Sequence, residues 1–222
     1  MKIKGLILVR SGSTRVINKN IRPFANSNLL KIKIEQLQRI SKLDGIIVNS
    51  NSDEILDMAR IMGVKVVKRD DYYASNSVSI NEVYENFAKN FDADVCVYTN
   101  ATSPLIKDVT IENCIDLYLN NSKEHDSCNT VNSVKLFLWK EGKPINYDVN
   151  NKPRSQDLPE IVAINHSVNV LPRETLLKRR EVVGLKPIFY IVDQMEGVDI
   201  DVDIDFQFAE FMYRKYILNE QI

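Results

Sequence analysis

Ile3-Lys4-Gly5-Leu6-Ile7-Leu8-Val9-Arg10-Ser11-Gly12-Ser13-Thr14-Arg15-Val16-Ile17-Asn18-Lys19-Asn20 joins a hydrophobic strand directly to a basic, hydroxyl-rich loop. The near-continuous apolar run from Ile3 to Val9 is the pattern of a buried parallel strand. The loop after it carries one Gly, two Ser, a Thr, two Arg and a Lys. Glycine permits backbone shapes that aim N–H groups at an anion, and the hydroxyls and cations add donors. A first strand ending in such a loop suits a nucleoside triphosphate; a solvated basic turn is the alternative. The P-loop is excluded because the second Gly and the Gly-Lys-Ser/Thr ending are missing, and the dinucleotide fingerprint because G-x-G-x-x-G is absent.

Downstream, strand and helix patterns alternate, which predicts a parallel α/β sheet. Leu30, Ile34, Leu37 and Ile40 make a helical stripe before a strand at residues 45–48. Ser52, Asp53 and Glu54 open a helix that Gly63 ends, and residues 64–67 read as the next strand. Ser79-Ile80-Asn81-Glu82 is a capping box. Residues 94–99 are a further buried strand, and Asp108 is expected to cap a helix carrying Ile111, Ile115 and Leu119. Across residues 127–160 the texture changes to short strand-like pieces (127–132 and 135–139) and polar turns, an antiparallel excursion from the sheet. The expectation is one domain over residues 1–222 with that excursion as an arm.

The chain has 222 residues, a formal net charge of -1 from 29 Lys+Arg against 30 Asp+Glu, and three cysteines. Such balance gives no general attraction to nucleic acid or to membranes. Cys96, Cys114 and Cys128 lack metal-like spacing and read as reduced thiols of a cytoplasmic protein. No apolar run approaches the ~20 residues of a membrane span.

Gly197-Val198-Asp199-Ile200-Asp201-Val202-Asp203-Ile204-Asp205 is the second chemically loaded stretch. Alternation of acid and apolar residues predicts a strand with Asp199 and Asp201 on one face. Two close carboxylates repel unless a cation lies between them, and Mg²⁺ shared with substrate phosphates is the usual one. The alternative is a solvated acidic edge, preferred for Asp203 and Asp205, one of which would cap the final helix. His166, His125, Tyr72, Tyr73 and Phe87 read more simply as packing or surface residues, and no Ser-His-Asp set is supported by spacing.

Residues 8–20 resemble the opening motif A-R-x-x-S-K-x-x-x-x-K-N of the cytidylyltransferases that activate acidic sugars, the acylneuraminate cytidylyltransferases and CMP-Kdo synthetases. Arg10, Ser13, Lys19 and Asn20 match, and Thr14 followed by Arg15 stands where the family has its first Lys. Residues 12–15 by themselves resemble the spore-coat polysaccharide nucleotidyltransferases. Residues 198–210 are similar to the family ending I-D-I-D-x-x-x-D-x-x-x-A-E. Weaker matches fall at Arg69 with residues 74–79, at residues 98–105 (Asn100-Ala101 in place of Gln-Pro, with Thr102-Ser103 retained), and at Pro153-Arg154-Ser155-Gln156.

The resemblance implies a Rossmann-like, mainly parallel α/β fold of the nucleotidyltransferase type, with a small antiparallel dimerisation arm and a homodimer. The implied reaction transfers CMP from CTP to an acidic keto-sugar of the sialic acid kind, with release of pyrophosphate. In that scheme Arg10, Ser13, Thr14, Arg15 and Lys19 hold the triphosphate. Asn20, Arg69 and the Ser79 region hold the nucleoside, and Asp199 and Asp201 hold Mg²⁺. Asn100, Thr102 and Ser103 face the sugar, and Arg154 meets its carboxylate, from across the dimer. Catalysis falls to Arg10, Lys19, Asp199 and Asp201. A nucleotidyltransferase for another sugar or polyol phosphate, and a nucleotide-binding relative without activity, remain the alternatives.

Overall fold

A computed structural model describes residues 1–13 and 15–221, so the Thr14 expectation lies outside the described residues. Seven strands form the central sheet: β1 (Ile3–Leu8), β2 (Ile46–Ser50), β3 (Lys65–Lys68), β4 (Val95–Thr99), β5 (Ser127–Val134), β6 (Ile161–Pro172) and β7 (Pro187–Val192). Their spatial order is β7-β5-β6-β4-β1-β2-β3. Every pairing is parallel except the two made by β6. The predicted α/β class is therefore the observed one, with two short antiparallel ladders beside the sheet (Pro23–Phe24 with Ser27–Asn28, and Trp139–Lys140 with Lys143–Pro144).

Six α-helices connect or cover the strands: α1 (Leu29–Gln38), α2 (Asp53–Ile61), α3 (Ile80–Lys89), α4 (Asp108–Asn121), α5 (Arg173–Arg179) and α6 (Asp203–Met212). The Asn28 side chain caps α1 by accepting from the Lys31 N–H at 2.9 Å. Leu30, Ile34 and Leu37, at helical spacing, are fully buried against the sheet. Each such side chain stabilises the fold by ~1.5–3 kcal/mol. Ser52 caps α2, and the capping box read at Ser79 and Glu82 starts α3.

Two expectations are corrected. Residues 127–134 do not leave the sheet: β5 lies between β6 and β7, with Ser127 to Val131 buried. Its polar residues are satisfied sideways. Asn129 Nδ2 donates to Asn169 Oδ1 (2.9 Å) and Thr130 Oγ1 to Asn165 Oδ1 (2.6 Å), so a central strand carries the composition of an exposed one. The excursion starts after Val134 and returns at Ile161, and it holds only the Trp139–Lys140 ladder where residues 135–139 were expected to be a strand. Nor does Asp108 cap α4. Its carboxylate receives Arg39 Nε (2.7 Å) and Gln36 Nε2 (3.0 Å) from α1. The buried Glu196 serves that helix end instead, accepting from Lys107 N–H at 3.1 Å and Thr110 Oγ1 at 2.6 Å.

One charge is enclosed by the core. Lys33 on α1 is fully buried, and its Nζ donates to Gln36 Oε1 (2.6 Å) and the Ser103 carbonyl (3.0 Å). Burial lowers its ammonium from 10.5 to about 7, with nearby Asp108 opposing the shift and Arg39 adding to it. Above that value the folded chain carries a neutral amine while the unfolded chain still binds the proton. Stability therefore rises with pH from about 7 towards 10.5, by ~1.4 kcal/mol per unit from this residue. Between pH 7.5 and 9.0 the expected gain from Lys33 is ~2 kcal/mol, or roughly 4–8 °C in Tm. Thermal melts of the wild type and Lys33→Met at those two pH values check this: the variant should lose that part of the rise, and identical slopes would refute the burial of a titrating lysine.

Candidate active site

Strand order reverses between β1 and β4: the chain goes outward from β1 through β2 to β3, then returns to place β4 on the other side. In such sheets the loops beyond the carboxyl ends diverge there and leave a crevice. A cavity of about 230 Å³ occupies that place, lined by Leu8, Val9, Arg10, Ser13, Arg15, Val16, Lys19 and Asn20 after β1, by Asn100, Ala101 and Thr102 after β4, and by Asp201. The first loop is held in shape by Val16, which is buried, and by a turn in which the Ile21 N–H donates to the Asn18 carbonyl at 2.9 Å.

The acidic segment reaches this cavity from the far end of the chain. Residues 199–202 are not a strand, and Asp203 to Asp205 form the first turn of α6. The alternation arises because Ile200 is buried while Asp201 lines the cavity and Asp199 sits beside it on the Thr102 hydroxyl, and because Asp205 accepts the N–H groups of Asp201 and Val202, each at 2.9 Å. Capping, not strand register, accounts for Asp205. Asp203 pairs outward with Arg22 at 2.7 Å.

Charges of both signs are interleaved. The Lys19 ammonium donates to the Ile200 carbonyl. Burial lowers its pKa, while Asp199 and Asp201 act to raise it. Asp199 accepts a hydrogen bond from the Thr102 hydroxyl. Burial raises its pKa, the Thr102 bond opposes the rise, and the neighbouring Asp201 charge adds to it. Arg15 Nη2 meets Asp201 Oδ1 at 2.7 Å. Asp199, Asp201 and the Thr102 hydroxyl are hard oxygen groups beside a cationic loop, a donor set that fits Mg²⁺ when phosphate oxygens complete its shell. Among the described residues no three His, Cys, Asp or Glu side chains form a self-contained metal cage.

A second cavity of about 250 Å³ adjoins the first through Arg10 and includes Arg69, Tyr73, Ser75, Asn76 and Val78. Arg10 Nη1 donates to the Ala74 carbonyl at 2.6 Å, bracing the wall between them. Arg69 is buried, and its guanidinium joins two strand ends, donating to Asn49 Oδ1 (2.6 Å), Asn49 O (3.0 Å) and Val9 O (3.3 Å). Burial lowers its pKa to about 10. Asn20 is buried, and its Oδ1 has no hydrogen-bond partner among the described residues, so an acceptor at the cavity is left for a ligand donor.

Other expected residues stand apart. The Ser79 hydroxyl is committed to the α3 capping box and does not line either cavity. Ser103 is buried behind Thr102, with its carbonyl taken by Lys33. Arg154 is exposed on the excursion and pairs with Asp157 at 2.9 Å, outside the cavity of its own chain. Sequence reading missed Asn49, Glu196 and Lys33 as supports of the site. Their partners lie 20 to 89 residues away, beyond any local spacing rule.

A cytidylyltransferase family model matches residues 5–221. The N-acylneuraminate cytidylyltransferase of Oncorhynchus mykiss is 29% identical over 217 residues, covering 94% of this chain and 49% of that protein. The chain thus spans about half the length of that relative. The pseudaminic acid cytidylyltransferase of Campylobacter jejuni (serotype O:2) is 23% identical, covering 96% of this chain and 97% of the relative. Among solved structures, a CMP:2-keto-3-deoxy-manno-octonic acid synthetase complexed with CTP superposes with a TM-score of 0.72 at 10% identity, covering 97% of this chain and 99% of that one. That likeness speaks for the fold. With the family match running from β1 to beyond α6, the chain belongs to the cytidylyltransferase family.

Proposed function

We propose that this chain transfers CMP from CTP to an acidic keto-sugar of the sialic acid-like nonulosonate class and releases pyrophosphate. The observation that carries the reading is the meeting of Arg10, Arg15 and Lys19 with Asp201 at one crevice, with the Asp199 carboxylate beside it acting on Lys19. It is supported by relatives named for acylneuraminate, pseudaminic acid and N,N'-diacetyllegionaminic acid substrates.

In this reaction the sugar's anomeric hydroxyl attacks the α-phosphorus of CTP. The new O–P bond forms as the bond to the bridging oxygen breaks, and the hydroxyl proton leaves to solvent. Positioning and charge neutralisation supply most of the rate. Arg10, Ser13 and Lys19 receive the triphosphate oxygens, and Arg15 leaves Asp201 to join them. That exchange is cheap, because an exposed ion pair contributes only ~0–1 kcal/mol. Asp199 and Asp201 would hold Mg²⁺, which when bound neutralises charge on the reacting phosphate. Asn20 accepts a donor of the nucleoside, and Asn100 and Thr102 face the acceptor sugar.

A homodimer completes the reading. The excursion exposes Leu136, Trp139, Ile145 and Val149, an apolar set that a lone hairpin leaves in water. Arg154 stands on that same excursion, and by exchanging its exposed pair with Asp157, worth only ~0–1 kcal/mol, it can offer a bidentate guanidinium to the sugar carboxylate in the other subunit's crevice. The three buried free cysteines suit a reducing, cytoplasmic setting.

Pyrophosphate release from CTP and Mg²⁺ with a panel of nonulosonates, Kdo and neutral sugar phosphates tests the proposal. Sugar acids should be turned over, and Asp199→Asn and Asp201→Asn should each lose at least ~100-fold in kcat without a fall in Tm above a few degrees. Turnover of neutral sugar phosphates alone would discard the sugar-acid reading. Arg154→Ala should raise KM for the sugar acid on the order of ten-fold or more and leave KM for CTP unchanged, the split expected of a carboxylate clamp. Equal effects on both substrates would remove Arg154 from that role.

A further inference from the structure

Lys33 faces away from both cavities, yet it touches the loop that lines one of them. The loop of residues 100–103 has few fastenings of its own: a turn in which the Ser103 N–H reaches the Asn100 carbonyl at 3.3 Å, and the cross-contact of Thr102 with residues 199 and 200. From behind, Lys33 Nζ donates to the Ser103 carbonyl at 3.0 Å. Gln36, one turn on along α1, accepts from Lys33 and donates to the Ile106 carbonyl at 2.6 Å. Arg39, a further turn on, grips Asp108. One face of α1 thus holds the backbone of this segment at two successive points, Ser103 and Ile106, and Arg39 at the end of the helix holds the Asp108 side chain.

A lysine is an expensive way to make this contact. It is fully buried, and no carboxylate lies within salt-bridge distance of its Nζ among the described residues. Its hydrogen-bond partners are neutral oxygens. A Leu or Met in the same volume would give a more stable core. What only a long side chain with a terminal donor supplies here is a tether on Ser103, one residue from the Thr102 whose hydroxyl holds Asp199 and whose carbonyl receives the Ile200 N–H at 3.0 Å.

We propose that Lys33 is a positioning residue, which sets the loop of residues 100–103 for the acceptor sugar by pinning the Ser103 carbonyl from inside the core. The proposal rests on the sugar-acid reading of the site for its substrate, but not for its geometry. Removing the tether leaves a buried carbonyl unpaired and frees the loop to shift, which misplaces Asn100 and Thr102 while the Arg10-to-Asn20 loop on the other wall keeps its own supports.

Lys33→Met, purified as the full chain, is compared with wild type in steady-state kinetics, in thermal melts, and in amide hydrogen exchange across residues 100–106. The expected result is a KM for the sugar acid raised on the order of ten-fold, the loss that one unmade buried hydrogen bond implies, with KM for CTP within about two-fold. Exchange at residues 100–106 should quicken although Tm at pH 7 does not fall. Lys33→Gln, which keeps an N–H donor on a shorter stem, should recover part of the sugar KM, and it is the second variant if Lys33→Met does not fold. A folded Lys33→Met with wild-type sugar KM and wild-type exchange overturns the proposal, as does an equal loss for both substrates accompanied by a lowered Tm. If the wild type turns over no sugar acid, the functional reading fails separately, and unchanged exchange at residues 100–106 still overturns the role of Lys33.

Discussion

Everything at the crevice depends on the docking of the C-terminal helix onto the loop that follows the first strand. Phe24 and Phe206 meet edge to face at 5.3 Å, both fully buried, and Arg22 stacks over Phe206 at 4.4 Å while reaching Asp203. Glu210 accepts the Ala25 N–H at 2.8 Å. Around that apolar pair the polar contacts fall into register, with Lys19 on the Ile200 carbonyl and Arg15 on Asp201, joining residues more than 180 positions apart. The apolar contact supplies the stability and the ionic contacts set the alignment, since exposed pairs add little free energy of their own.

The same docking explains the balance of charge. Bringing carboxylates to a loop rich in cations disfavours ionisation by desolvation on both sides, which lowers Lys19 and raises Asp199, and each then leans on the other. In the proposed reaction a triphosphate with its cation would offer each group a partner of opposite sign, so binding would exchange partners instead of creating charge in a dry cavity. Thr102 and Glu196 keep that exchange local. Thr102 fixes Asp199 from the β4 side, and Glu196 ties the turn preceding residue 199 to the start of α4, so a ligand can turn the side chains without moving the backbone that carries them.

Much of this was legible where chemistry is local. Continuous apolar runs gave β1 and β4, serine-led openings gave α2 and α3, and the cation-rich loop meets Asp201 at one cavity, with Asp199 acting on Lys19 beside it. Three readings failed for one reason, that polar residues were judged by their neighbours in sequence. Asn129 and Thr130 look like surface but are satisfied across strands, so β5 read as an excursion. Asp199 and Asp201 alternate with apolar residues as a strand would, but they stand in an irregular segment just before a helix start. Asp108 sits where a cap is expected, while the working carboxylate arrives from residue 196. Arg154 differs in kind, because among the described residues its partner is the neighbouring Asp157 and nothing at the cavity.

The polar interior of β5 and β6 has a consequence for the acceptor side of the crevice. Register between these strands shifts between Ile164 and Asn169, and His166 there takes a left-handed backbone with φ of 56°. A side chain in that conformation is strained, so something must hold it. Asn165 does so: its side-chain Oδ1 accepts from Thr130 Oγ1 and the Ser167 N–H, and its Nδ2 donates to Asn132 Oδ1 at 2.8 Å. Asn169 closes the bulge by donating to the His166 carbonyl at 3.2 Å. Because Val168 pairs with Thr99, the bulge lies against the end of β4, from which Asn100 and Thr102 enter the cavity. A slip by one residue would turn these side chains to the opposite face and leave their amides unpaired, so this asparagine set is satisfied in one register only. The buried amides therefore fix where the reversed strand ends and, through it, where the wall of the crevice stands.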